Sequence, residues 1–123
     1  MSSEIRSYKD LHAWQLAMDL AEACYNQTMA FPAAEAHGMT SQIRRAAVSI
    51  PANIAEGYGR ESTGCYVQFL RVAQGSLKEL ETLLLLCGRV DLIGAQTAAS
   101  LLETAESVSK MLRNLIRSLQ RVD

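Results

Sequence analysis

Residues 42–60 carry two stripes at helical spacing with a proline set between them, and that combination leaves few folds open to the chain. Met39, Ile43, Ala46 or Ala47, Ile50 and Ile54 recur at steps of three and four, which makes one apolar helical face. Gln42, Arg45, Ser49, Asn53, Glu56 and Arg60 keep the same spacing along one flank of that face. Pro51 lacks an amide hydrogen and crowds the carbonyl of Ala47, so the helix is expected to bend there.

The rest of the chain repeats the helical period. Ser7 followed by Asp10 has the form of a capping pair that starts a first helix. Leu11, Trp14, Met18, Ala21 and Tyr25 then form its expected seam. Phe31-Pro32 ends it, because a residue before proline is pushed out of helical geometry. Gly57 and Gly59 break the second helix, and Ser62 or Thr63 caps the third. The third seam runs Tyr66, Phe69 or Leu70, Ala73, Leu77, Leu80 and Leu84, and Gly88 and Gly94 bracket a short turn. Ala98, Leu101, Ala105, Val108, Leu112, Leu115 and Leu119 form a heptad-like fourth seam. No stretch alternates with period two over enough residues for a strand. Helices near residues 8–29, 38–57, 62–87 and 94–120, joined by short links, predict a single all-α domain spanning residues 1–123. Its expected architecture is an antiparallel up-down four-helix bundle, kinked at Pro51.

Twelve basic residues against thirteen acidic ones leave a net charge of -1. Phosphate neutralisation supplies most non-specific affinity for nucleic acid, so this balance confines any such contact to a local patch. The first residues lack the apolar core and cleavage signal of a leader. The longest apolar run, residues 83–87, is far short of the roughly 20 residues a membrane span needs. Cys24, Cys65 and Cys87 read as reduced core thiols of a cytoplasmic protein. His12 and His37 are too isolated to complete a metal site, and no cofactor is expected.

Two helices carry more apolar surface than one seam uses. Leu16 and Leu20 stand one turn apart, away from the Leu11–Met18–Tyr25 seam, while Leu85 and Leu86 project to either side of Leu80. Each leucine left in water forgoes about 1.5–3 kcal/mol of burial. Self-association through Leu16, Leu20, Leu85 and Leu86 is therefore expected.

The polar flank reads as a structural network rather than a catalytic one. No histidine lies in it, and no Ser-His-Asp or Cys-His arrangement is present. Arg45 is expected to pair with Glu79 or Glu81 on the facing helix, and Asn53 to link helices. The rival is a small-molecule site or enzyme centre near Glu56, Tyr58 and Arg60, or between subunits. Gly57-Tyr58-Gly59-Arg60 lacks the lysine and preceding strand of a phosphate loop. Lys110, Arg113, Arg117 and Arg121 share the outer face of the last helix and are the candidate nucleic-acid contacts. Cations also suit a helix C-terminus, and Glu106 stands four residues before Lys110.

Several of these segments together resemble a known family. Residues 42–60, Phe69-Leu70-Arg71-Val72-Ala73-Gln74-Gly75-Ser76, Glu79-Leu80-Glu81-Thr82, Leu11-His12-Ala13-Trp14-Gln15 and Phe31-Pro32 are similar to the four-helix-bundle proteins encoded in intervening sequences of 23S ribosomal RNA genes. The resemblance covers about residues 8–119. It implies a small cytosolic bacterial protein that forms homopentameric rings and carries no settled catalytic activity. A related group, the accessory proteins of diversity-generating retroelements, forms similar rings with a strongly basic surface; this chain departs from it in having no net positive charge. The function expected is a non-catalytic homo-oligomeric scaffold, with RNA or a nucleic-acid-processing protein as partner.

Overall fold

The computed structural model describes residues 4–121. The described residues form four α-helices and no strand: α1 (His12–Thr28), α2 (Met39–Tyr58), α3 (Thr63–Arg89) and α4 (Ala95–Gln120). Each helix packs on its neighbours in a square, α1 against α2 and α4, and α3 against α2 and α4. A helix as long as α3 spans about 40 Å. The four residues between α2 and α3 and the five between α3 and α4 cannot cross that distance, so α3 runs antiparallel to both. Arg44 near the start of α2 meets Thr28 at the end of α1, which sets that pair antiparallel too.

Local chemistry sets the ends. Ser7 accepts from the Lys9 amide at 3.1 Å, while Asp10 accepts from the Ser7 amide at 3.2 Å, a reciprocal cap. It starts a 3-10 turn at Tyr8–Asp10, and the extended backbone of Leu11 separates that turn from α1. Ser62 accepts from the Cys65 amide at 3.1 Å and caps α3. The chain reverses after α3 at Asp91, whose φ of 62° is left-handed, rather than at either flanking glycine. Gly88 stays inside the helix, and the Leu92 amide returns to the Cys87 carbonyl at 2.9 Å.

The core fills the space between the four helices. Leu20, Ile43, Ile50, Ile54, Leu70, Leu77, Leu80, Leu84 and Leu112 are fully buried within it. Pro51 is buried as well, and α2 runs through it as one continuous helix. On α1 the buried line is Ala13, Ala17, Leu20, Ala21, Cys24 and Thr28. Of the expected α1 seam only Ala21 belongs to that line: Met18 is 43% and Tyr25 39% exposed. Leu11 and Trp14 pack against the core's edge.

Candidate functional site

The polar flank of α2 condenses around two hydroxyls. Ser49 Oγ lies 2.8 Å from Ser76 Oγ of α3, which joins the two helices. Asn53 Nδ2 donates to the Ser49 carbonyl at 2.8 Å and to Ser49 Oγ at 3.0 Å. Ser76 was missed by sequence reasoning, because only the pairing of α2 with α3 reveals which polar residue faces Ser49. Asn53 therefore links helices through Ser49, not directly.

The other members of the flank stand apart. Gln42 and Arg45 are exposed. The nearest polar partner of the Arg45 guanidinium is Ser41 of its own helix, at 3.5 Å. The expected pair with Glu79 or Glu81 does not form: Glu81 takes Lys78 at 3.1 Å and Glu79 is exposed. Arg45 occupies the outermost line of α2, and solvating a charge there costs less than burying an ion pair. It is Arg44, one residue earlier, that turns inward. Its Nε donates to Thr28 Oγ1 at 2.9 Å, and its guanidinium lies 4.5 Å from the centre of the Tyr25 ring.

Glu56 and Arg60 meet at the α2–α3 corner, 3.2 Å apart as an exposed i,i+4 pair. Arg60 also lies 4.7 Å from the centre of the Phe69 ring, and Tyr58 meets Tyr66 edge to face at 6.0 Å. Burial, then the neighbouring Tyr58, pushes the Tyr66 hydroxyl above its ordinary pKa. Gly57 lets the helices close here: an added Cβ would stand 2.8 Å from Phe69 Cβ. Of the polar groups at this corner, Glu56 and Arg60 engage each other.

The apolar surplus is redistributed. Leu20 is 1% exposed and belongs to the core, so it cannot serve an interface. Leu16 is half-buried against the core. The phase of α1 differs from the expected one: its small residues face inward, and Met18, Tyr25 and Met29 face out. Leu85 and Leu86 are exposed on α3, joined by Val72 and Val90. Leu85 also lines a shallow groove of about 270 Å³ between the end of α3 and the start of α4. Lys110, Arg113 and Arg117 are exposed on α4, whereas Arg121, also exposed, is the C-cap with extended backbone and leaves the helical row expected for it. Glu106 makes no ion pair with Lys110.

A family model described as 23S rRNA-intervening sequence protein matches residues 9–114. The chain belongs to that family. A crystal structure of a protein of unknown function from the S23 ribosomal protein family of Bacteroides thetaiotaomicron has the same fold, with a TM-score of 0.75 at 24% identity. The match covers 85% of this chain and 97% of that one. No curated protein matches the chain.

In this member of the intervening-sequence family, the fully buried titratable groups among the described residues are thiols. Cys24 and Cys87 are buried, while Cys65 is exposed, against the expectation of three core thiols. Burial, with Cys87 beside it, pushes the Cys24 thiol up to about 12. Cys87 is also raised, first by burial and then by Glu35. Both are held as neutral thiols, the unreactive form. Among the described residues no group of three or more His, Cys, Asp and Glu side chains could hold a metal ion. No described helix is long and apolar enough to cross a membrane.

Proposed function

We propose that this protein acts in the cytoplasm as a non-catalytic homo-oligomeric scaffold, a ring of five copies that presents its basic α4 ridge to RNA. One observation carries the reading: large apolar side chains stay at the surface on more than one side of the bundle. Met18 is 43%, Leu85 55%, Leu86 45% and Val90 55% exposed. Apolar surface of this extent on a bundle with a filled core is accounted for by burial against further copies. The ring of five rests on the family resemblance, and RNA on the outward row Lys110, Arg113 and Arg117, with Arg121 just beyond the helix end. A ring repeats that row around its rim, so a weak local patch becomes a multivalent one despite the net charge of -1.

Sedimentation velocity with native mass spectrometry at micromolar concentration tests the assembly. A particle of five 13.5 kDa chains is expected, and a clean monomer overturns the scaffold. RNA titrated over a salt series tests the ridge. Affinity should fall steeply with salt and weaken further in Arg113→Glu with Arg117→Glu. Salt-insensitive binding, or binding unaltered by the reversals, removes RNA and leaves a protein as the partner.

A further inference from the structure

The groove between the end of α3 and the start of α4 fixes which flanks of the two helices share a surface. Leu85 and Arg89 line it from α3, and Ala95 and Ala99 line it from α4. An α-helix returns to the same direction after about five turns, or about eighteen residues. Arg71 stands eighteen residues before Arg89, Arg113 eighteen after Ala95 and Arg117 eighteen after Ala99. All three therefore lie on the flanks that meet along the α3–α4 seam. One contact sets the heights. A Cβ on Gly88 would stand 3.6 Å from Ala98 Cβ, so these two residues are level. Arg71 is seventeen residues before Gly88, and Leu115 is seventeen after Ala98 on the antiparallel helix. Arg71 is thus level with Leu115, between Arg113 and Arg117 and about 25 Å along the bundle from the groove.

This half of the seam carries no carboxylate. Residues 63–78 of α3 and 107–120 of α4 contain neither aspartate nor glutamate. The acidic residues of the two helices, Glu79, Glu81, Glu103 and Glu106, all stand in the other half. Arg71, Lys110, Arg113 and Arg117 are exposed, and none of them makes an ion pair among the described residues. Lys78 is tied to Glu81 at 3.1 Å and marks the border with the acidic half. The aromatic residues of these stretches, Tyr66 and Phe69, engage Tyr58 and Arg60 at the α2 corner. The seam therefore offers positive charge without a ring for a base to stack on. We propose that Arg71 of α3 joins Lys110, Arg113 and Arg117 of α4 in one phosphate-binding face, which takes the backbone of double-stranded RNA across the α3–α4 seam. The proposal rests on the RNA reading above and adds a second helix to it. Packed helices lie about 8–10 Å apart, so cations on both banks reach phosphates that a single row does not. A duplex suits such a face, because its phosphates are densely spaced and it is held largely through backbone contacts. A single strand gains most from base stacking, which this face lacks.

A short RNA duplex of mixed sequence, titrated over a salt series, tests this on the full chain. Arg71→Ala should weaken binding several-fold at low salt and flatten the slope of log affinity against log salt by about one. Arg71→Lys should restore the slope. Arg45→Ala is the control, exposed on α2 and diagonally opposite α4, and should leave affinity and slope unchanged. A single strand of the same length should bind more weakly than the duplex. Native mass spectrometry checks that each variant keeps the wild-type assembly. Arg71→Ala matching Arg45→Ala, while Arg113→Glu with Arg117→Glu still weakens binding, overturns the two-helix face and leaves the α4 row standing. A loss in Arg71→Ala that comes with a smaller assembly overturns the direct contact, and tighter binding of the single strand overturns the duplex. A wild type that binds neither RNA, or binds without salt dependence, overturns this face and the RNA reading together.

Discussion

Replacing Gly57 with alanine sets two effects of opposite sign against each other, and the geometry decides which wins. Glycine in a helix interior costs about 0.8–1 kcal/mol relative to alanine, so propensity favours the change. That gain is reduced here, because Gly57 lies two residues before the C-cap of α2 at Gly59. Against it, the new Cβ would stand 2.8 Å from Phe69 Cβ, 3.1 Å from Tyr66 Cδ1 and 3.2 Å from the Tyr66 carbonyl oxygen. Phe69 Cβ and the Tyr66 carbonyl are fixed to the backbone of α3, so no rotamer change clears them. Relief requires α2 and α3 to part beside the short link that joins them. Overpacking of this kind costs about 1–3 kcal/mol. The contact is closer than real Cβ atoms tolerate, which puts the cost toward the upper end and the net loss at about 1–2 kcal/mol. For a chain of 123 residues, 1 kcal/mol corresponds to about 4 °C in Tm. The assay is urea and thermal unfolding followed by far-UV circular dichroism, at one fixed protein concentration because association adds to apparent stability. Gly75→Ala is the control. It lies within exposed α3 with nothing within 4 Å of the new Cβ, and should gain about 0.5–1 kcal/mol. Gly57→Ala matching or exceeding the wild type, while Gly75→Ala gains as stated, refutes the close-approach reasoning.

Further outcomes follow from the packing. Asn53→Ala removes two donated bonds on Ser49 in a half-buried setting and should cost about 0.5–1.5 kcal/mol in urea unfolding. In a double-mutant cycle with Ser76→Ala it should couple, and strict additivity would show that Ser49 does not link them. Leu20→Ala should cost about 2–5 kcal/mol of unfolding free energy, through the core rather than through an interface. A loss of assembly with unchanged subunit stability would contradict its placement. At mild alkaline pH a thiol reagent should titrate one cysteine, Cys65, in the native protein and all three after unfolding. The folded Cys24 pKa of about 12 lies above the ordinary 9.0. The stability it contributes is therefore complete below about pH 9 and is lost as pH rises toward 12. Cys24→Ala should flatten that decline in alkaline urea titrations.

Features set by neighbours along the chain were legible in the sequence. The four helices, the reciprocal cap of Ser7 with Asp10 and the start of α3 after Ser62 each depend on residues a few positions apart. What depended on the facing helix was not. Ser76 is unremarkable until α3 lies against α2 and brings its hydroxyl to Ser49. Arg44 and Arg45 are identical in type, yet a rotation of about 100° sends one against Tyr25 and Thr28 and the other into solvent. The stop of α3 was misplaced at Gly88, because an aspartate tolerates the left-handed backbone that glycine usually supplies.

The phase of α1 shows the same limit and explains the surface it leaves. Apolar residues occur nearly all round this helix, so periodicity alone permits more than one seam. The largest ones, Leu11, Trp14, Met18 and Tyr25, make the more conspicuous line. Close helix packing favours the other, because Ala13, Ala17 and Ala21 let the backbone of α1 approach its neighbours while Leu20 and Cys24 fill what remains. A helix that turns its small residues inward must turn Met18, Tyr25 and Met29 outward. The tight seat of α1 in the bundle and the exposed line of Met18 and Tyr25 thus have one cause. A substitution that re-phased α1, such as Ala17→Leu, should loosen the core and blunt that line together.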